Sequence, residues 1–229
     1  MFFFFALGRG PIIPSVTVSE IISLLSQEYG PREWEPEKHL DPLSELIRTL
    51  LSQHTSDANS WRAYYRLKAR FPTWEDVAEA PVEEIAEAIW LGGLARMKAP
   101  RLKALLLRIC EERGALALSF LADWPLTEAR AWLQGLPGVG PKTAACVLLF
   151  SLGRPALPVD THIHRVAKRL GLIGPRVTAE AAQGLLEAML KPEEFYPFHM
   201  LMIEHGRRLC KAQRPLCALC PLRHGCPTG

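Results

Sequence analysis

Apolar residues along this chain recur at spacings of three and four, and almost nowhere at two. That period is the signature of helices with one buried face. It predicts helices over 18–29, 43–51, 61–71, 82–90, 102–110 and 126–133, then over 143–152, 161–170, 179–190 and 195–209. Pro72, Pro81, Pro125 and Pro192 mark connections, because proline ends a helix and favours turns. The apolar run 145–150 is the one stretch that could pass for a buried strand. It follows a glycine-rich turn that suits a helix start, so helix is the better reading. The predicted fold class is all-α.

Two short segments carry candidate chemistry. The first reads Leu136-Pro137-Gly138-Val139-Gly140-Pro141-Lys142-Thr143-Ala144, a hairpin leading into an apolar helix. Gly138 and Gly140 are expected to turn with positive φ and to let a partner approach the backbone. Pro141 suits the first position of a helix. The exposed N–H groups of Gly138, Val139 and Gly140 would then suit a phosphate. Lys142 falls in the first turn, where a cation meets the positive end of the helix dipole. That placement is poor for helix stability and good for a lysine that must give up a proton and act as an amine nucleophile. Eighteen positions on, in Val159-Asp160-Thr161-His162, stands Asp160. An ordinary helix start and a plain N-cap are the bland readings of these two residues. Capping and catalysis by Asp160 are compatible.

The second signal is independent. Cys210, Cys217, Cys220 and Cys226 follow the spacing C-x6-C-x2-C-x5-C. Nothing marks secretion, so a joint metal site is expected rather than disulfides. Zinc and a [4Fe–4S] cluster both accept four thiolates, and spacing alone leaves both open. Cys110 and Cys146 lie in apolar helical stretches and are read as buried small hydrophobes.

The hairpin, the Val-Asp-Thr-His segment and the cysteine array together resemble the helix-hairpin-helix DNA glycosylases, in the iron–sulfur branch typified by endonuclease III. The resemblance runs from about residue 35 to the end. It implies a [4Fe–4S] cluster on Cys210, Cys217, Cys220 and Cys226, with Lys142 as nucleophile and Asp160 as its catalytic partner. It implies two helical lobes with a DNA-binding cleft between them. A six-helix barrel with the helix-hairpin-helix motif would span 36–153, and an iron–sulfur cluster domain would combine 1–35 and 154–229. Leu50-Leu51-Ser52-Gln53-His54-Thr55-Ser56-Asp57 looks like the loop that fills the gap left by an extruded base. The family's inserting glutamine falls on His54, with Gln53 one place earlier. Gly93-Leu94-Ala95-Arg96-Met97-Lys98-Ala99 looks like the loop whose leucine, here Leu94, wedges into the opposite strand. Lys211 and Arg214, between the first two cysteines, would meet phosphates.

The implied activity is base excision repair. A bifunctional glycosylase and abasic-site lyase would remove oxidised or ring-saturated pyrimidines from double-stranded DNA and cut the strand by β-elimination. The adenine-mismatch enzymes of the family lack lysine at this hairpin position. A monofunctional mismatch glycosylase and a non-catalytic binder of damaged DNA are the alternatives.

Composition changes this picture little. Of 229 residues 48% are hydrophobic, enough for a sizeable core, and the net charge is +3. The charge is unevenly placed. Residues 73–90 carry six acids and no base, whereas Lys142, Arg154, Arg165, Lys168 and Arg169 crowd 136–175 and Arg207, Arg208, Lys211, Arg214 and Arg223 crowd 205–229. Basic residues gathered on the motif-bearing segments are expected of a surface facing DNA. The apolar stretch 1–7 is too short to span a bilayer and lacks the basic start of a signal peptide. It is read as a tail. The expected protein is a cytoplasmic, nucleoid-associated monomer with no membrane partner.

Overall fold

A computed structural model describes residues 16–229, so the tail at 1–7 lies outside the described residues. Among the described residues the regular elements are helical and no strand occurs. In chain order the α-helices are α1 (Val18–Tyr29), α2 (Pro42–Ser52), α3 (Asp57–Arg70), α4 (Trp74–Glu79), α5 (Val82–Ala88) and α6 (Ala95–Arg113). They continue as α7 (Leu126–Gln134), α8 (Pro141–Cys146), α9 (Thr161–Arg169), α10 (Ala179–Glu187) and α11 (Phe195–Arg208). The chain divides into two compact units. One is Trp34–Pro158; the other joins Val159–Gly229 to the N-terminal segment through Glu33.

The unit Trp34–Pro158 is built on α2. Asp41 caps it, its Oδ1 accepting from Leu43 N at 3.1 Å and Ser44 N at 3.0 Å, and Pro42 fills the first position. Leu46, Ile47 and Leu51 are fully buried, and α3, α6 and α8 pack on α2. Burying each such side chain contributes roughly 1.5–3 kcal/mol. Residues 154–158 belong to this unit, where Arg154 Nη1 donates to Leu121 O at 2.6 Å.

In the other unit α11 packs against α1 and α9, and α10 packs on α9. Thr17 and Glu20 cap α1 reciprocally, so Ile21 and Leu25 lie on one buried face. Tyr29 Oη hydrogen-bonds His205 Nδ1 at 3.0 Å, and Arg32 pairs with Glu204 at 2.6 Å. These contacts fix the N-terminal helix to the C-terminal part of the same unit. Burial pushes the His205 imidazole down to about 4, so it stays neutral at pH 7.

The structure departs from the sequence reading in four places besides the start of α3, which comes four residues before its predicted position. α4 was not anticipated; at six residues it is too short for periodicity to register, although the Thr73–Asp76 capping box marks its start. α6 begins at Ala95 and runs through Pro100, seven residues before the predicted start, so most of 93–99 is helix rather than loop. The helix after the hairpin widens into a π-turn over Val147–Ser151. There Phe150 O accepts from Trp34 Nε1 at 2.7 Å. Finally, Cys146 is buried as expected but Cys110 is exposed, because it lies off the α6 face that buries Leu102, Leu105, Leu106 and Ile109.

Candidate functional site

Within Trp34–Pro158 the chain turns between α7 and α8 through 135–140. Gly138 has φ +77°, where a side chain is strained; Gly140 has φ −92° and does not need glycine for its conformation. A Cβ on Gly140 would also meet nothing within 4 Å. The fold therefore explains Gly138 and leaves Gly140 without an internal reason. Val139 departs from expectation. Its N–H donates to Leu136 O at 3.1 Å and its side chain is buried, so it shapes the turn instead of offering an outward amide. Gly138 and Gly140 are exposed, and their N–H groups find no acceptor among the described residues. Lys142 is exposed at the second position of α8.

Two further turns lie beside this hairpin. Gln53, the C-cap of α2, donates from Nε2 to Gly138 O at 3.4 Å. His54 follows with φ +56°. Its carbonyl oxygen lies 4.0 Å from the position a Cβ would take on Gly93. Leu94 caps α6 with φ +52° and is 49% exposed, so it points away from the core instead of covering its edge. Arg101, which sequence reasoning overlooked, lies alongside: its Cδ is 3.9 Å from a Cβ built on Gly138. Only its position in space marks it, since one arginine in a helix carries no local signal.

The described residues other than glycine with positive φ are His54, Leu94 and Arg214. All three had been picked from the sequence as nucleic-acid contacts. A left-handed conformation costs a non-glycine residue about 1–2 kcal/mol. Such strain tends to persist at sites kept for function.

In the other unit Asp160 is the N-cap of α9. Its Oδ1 accepts from both His162 N at 2.9 Å and Ile163 N at 2.8 Å, and Oδ2 takes no part in the cap. Cys210, Cys217, Cys220 and Cys226 line one cavity of about 50 Å³ and form no disulfide. Burial, joined by the neighbouring Cys210, Cys226 and Cys217, pushes the Cys220 thiol up, against a backbone hydrogen bond from Leu222 that pulls it down. Four sulfur donors gathered on one cavity make a soft ligand set, which fits a soft metal centre. Among the described residues no three His, Cys, Asp or Glu side chains close on one point as ligands of a single ion would. Ligands of a cubane each bind a different iron and stand farther apart.

The surrounding basic residues divide in an unexpected way. Arg165 Nε donates to Cys210 O at 3.1 Å and its Nη2 to Gly206 O at 2.8 Å. Arg169 reaches Cys210 Sγ at 3.3 Å, Lys211 O at 2.7 Å and Ala212 O at 3.0 Å. These arginines, with Arg154, serve carbonyls inside their own units instead of an outer basic face. Lys211 and Arg214 remain exposed on the loop that Arg169 holds.

The comparisons agree with this arrangement. The family model of the HhH-GPD superfamily of base excision DNA repair proteins matches residues 47–192. Endonuclease III of Thermotoga maritima is 36% identical over 207 residues, covering 90% of this chain and 92% of that protein. An Arabidopsis thaliana protein assigned as a DNA glycosylase is 39% identical over 175 residues; this covers 76% of the chain but only 59% of that longer relative. A solved trapped covalent endonuclease III–DNA intermediate superposes with a TM-score of 0.76 at 31% identity, covering 93% of this chain and 97% of that one. Among the described residues no helix is long and apolar enough to cross a membrane. The match in sequence, fold and hairpin means that the chain belongs to the HhH-GPD superfamily of base excision DNA repair proteins, as a DNA glycosylase enzyme of the endonuclease III type.

Proposed function

We propose that this chain is a bifunctional glycosylase and abasic-site lyase acting on oxidised or ring-saturated pyrimidines in duplex DNA. The observation that carries the reading is Lys142, an exposed amine two residues past a glycine that the fold itself does not require. Gly138 and Gly140 offer N–H groups to a backbone phosphate, a contact that positions DNA without reading sequence. His54 or Gln53 fills the space of the extruded nucleotide, and Leu94 wedges into the facing strand. Extrusion costs a few kcal/mol, least for a damaged or poorly paired base. The Lys142 amine attacks C1′ as the C1′–N glycosidic bond breaks, and the base departs with the bonding electrons and gains a proton. Asp160, ionised while positive charge develops on the sugar, offsets that charge and then takes up the proton that the Lys142 nitrogen loses once the C1′–N bond to it has formed. The sugar ring then opens: the C1′–O4′ bond breaks as the Lys142 nitrogen forms the C1′=N bond, O4′ takes a proton, and the resulting protonated imine acidifies the C2′ proton. Its removal breaks the C3′–O bond and cuts the strand 3′ to the lesion. That endonuclease III, to which this chain is similar, was trapped in a covalent intermediate with DNA supports a covalent step.

Borohydride tests this reading directly. Added to protein and lesion-containing or abasic-site DNA, it should trap a covalent complex. Release of the base with no trapped complex and no nick would mark a monofunctional enzyme instead. We further propose that the protein works as a cytoplasmic monomer.

The glycines separate folding from binding. Gly140→Ala should melt like the parent and bind all duplexes more weakly. Gly138→Ala should lose about 1 kcal/mol of stability as well, since alanine must adopt a left-handed conformation. A Gly140→Ala protein with unchanged duplex affinity would remove the hairpin from the interface.

Cys210, Cys217, Cys220 and Cys226 would hold a [4Fe–4S] cluster, which supplies order to the loop bearing Lys211 and Arg214 rather than chemistry at the sugar. The fit is supported by the shared cavity and by how little hydrophobic packing the segment has, where Leu222 is the one buried hydrophobic residue after Met202. Purified protein should be yellow-brown with about four irons per chain. Cys217→Ser should lose iron and solubility. Colourless, active, stoichiometrically zinc-loaded protein would reject the assignment.

A further inference from the structure

The buried lysine of α6 has no part in the mechanism above. Lys98 is 8% exposed, and burial holds its amine below the ordinary lysine range. Its Nζ donates to Leu51 O at 2.6 Å and to Gly92 O at 2.8 Å. Both acceptors are main-chain carbonyls at the ends of elements, where partial negative charge gathers and intrahelical donors run out.

The end of α2 shows what this does. Thr49 O accepts from Ser52 Oγ, Leu50 O from Gln53 N, and Ser52 O from Thr55 N. Leu51 O is left, and Lys98 takes it. On the other side Gly93 N closes back on Trp90 O, and Lys98 takes Gly92 O. Leu51 stands three residues before His54, and Gly92 two before Leu94. One ammonium group therefore ties together the exits that lead into both strained turns. A hydrocarbon side chain in this place would leave two buried carbonyls unpaired. Charge-assisted bonds to both hold the two exits at a set separation.

We infer that Lys98 is a positioning residue that sets the spacing of the His54 and Leu94 turns so that they enter DNA together at the lesion. The inference rests on the reading of those turns given under Proposed function. It predicts a split between two reactions. Releasing a paired, damaged base needs both turns, because the base must be pushed out and its place held. Cutting a preformed abasic site has no base to extrude.

The test compares single-turnover rates of Lys98→Met with the parent on two duplexes, one with a paired ring-saturated pyrimidine and one with an abasic site. Base release should fall on the order of tenfold or more while abasic-site cleavage stays within about threefold. Backbone hydrogen exchange should quicken at 52–56 and 92–95 and not across the rest of Trp34–Pro158. If Lys98→Met does not fold, Lys98→Gln keeps two N–H donors on a shorter neutral arm, and the same ratio is read. Equal losses on both duplexes, tracking a lowered melting temperature, would reduce Lys98 to a plain structural staple and overturn the inference. An unchanged ratio would overturn it too. A parent protein inactive on both duplexes would instead overturn the enzymatic reading on which it stands.

Discussion

Lys142→Ala should abolish both borohydride trapping and strand cleavage while binding to lesion-containing duplex persists. The side chain is exposed at the start of α8 and contributes nothing visible to the core, so melting should be unchanged. The binding elements proposed around it also stay in place: the Gly138 and Gly140 amides, His54 and Leu94 are untouched. Removing the nucleophile takes away the covalent route altogether, rather than one stabilising contact along it. Residual base release by water could survive, because extrusion and electrostatic stabilisation of the sugar do not need the amine. The decisive readout is therefore the trapped complex and the nick, measured beside duplex affinity on the same sample. A Lys142→Ala protein that still traps would place the nucleophile elsewhere in the chain.

Asp160→Asn should lose base release on the order of 100-fold or more, the scale for removing one electrostatic group from a transition state. Its melting temperature should hardly move. The geometry makes this separation sharp, because both cap bonds go to Oδ1 and Oδ2 stays out of the cap. Asparagine keeps a carbonyl oxygen able to accept from His162 N and Ile163 N, and it ranks with aspartate as an N-cap. What it loses is the charge and the ability to take a proton from an amine. Were Asp160 a cap and nothing more, Asp160→Asn would be near silent, and Asp160→Ala would cost about 1 kcal/mol of stability with activity near normal. Melting and single-turnover rates for the two variants distinguish these outcomes.

The sequence alone determined whatever rests on short-range signals. Helical period marked α1, α2, α7, α9 and α11 to within a residue or two, because a helix that buries one face must repeat its apolar positions. Asp160 was legible as a cap, and Gly138 as a turn residue, because capping and positive φ depend on a handful of neighbours. The cysteine spacing announced a joint site, and in the structure the four thiols do line one cavity. Tertiary structure decided everything that depends on which surface meets which. Arg154, Arg165 and Arg169 read as a basic face in the linear chain, yet each turns onto main-chain carbonyls that lie 33 to 45 positions away. Lys98 read as one more loop lysine, and only the approach of Leu51 and Gly92 makes it a buried tie between two turns. Val139 and Gly140 each depart from expectation, since the Val139 amide is spent within the turn and Gly140 takes a negative φ while facing open space. Charge and polarity are properties of a residue. Whether they are spent inside or offered outside is a property of the packing, and local sequence does not encode it.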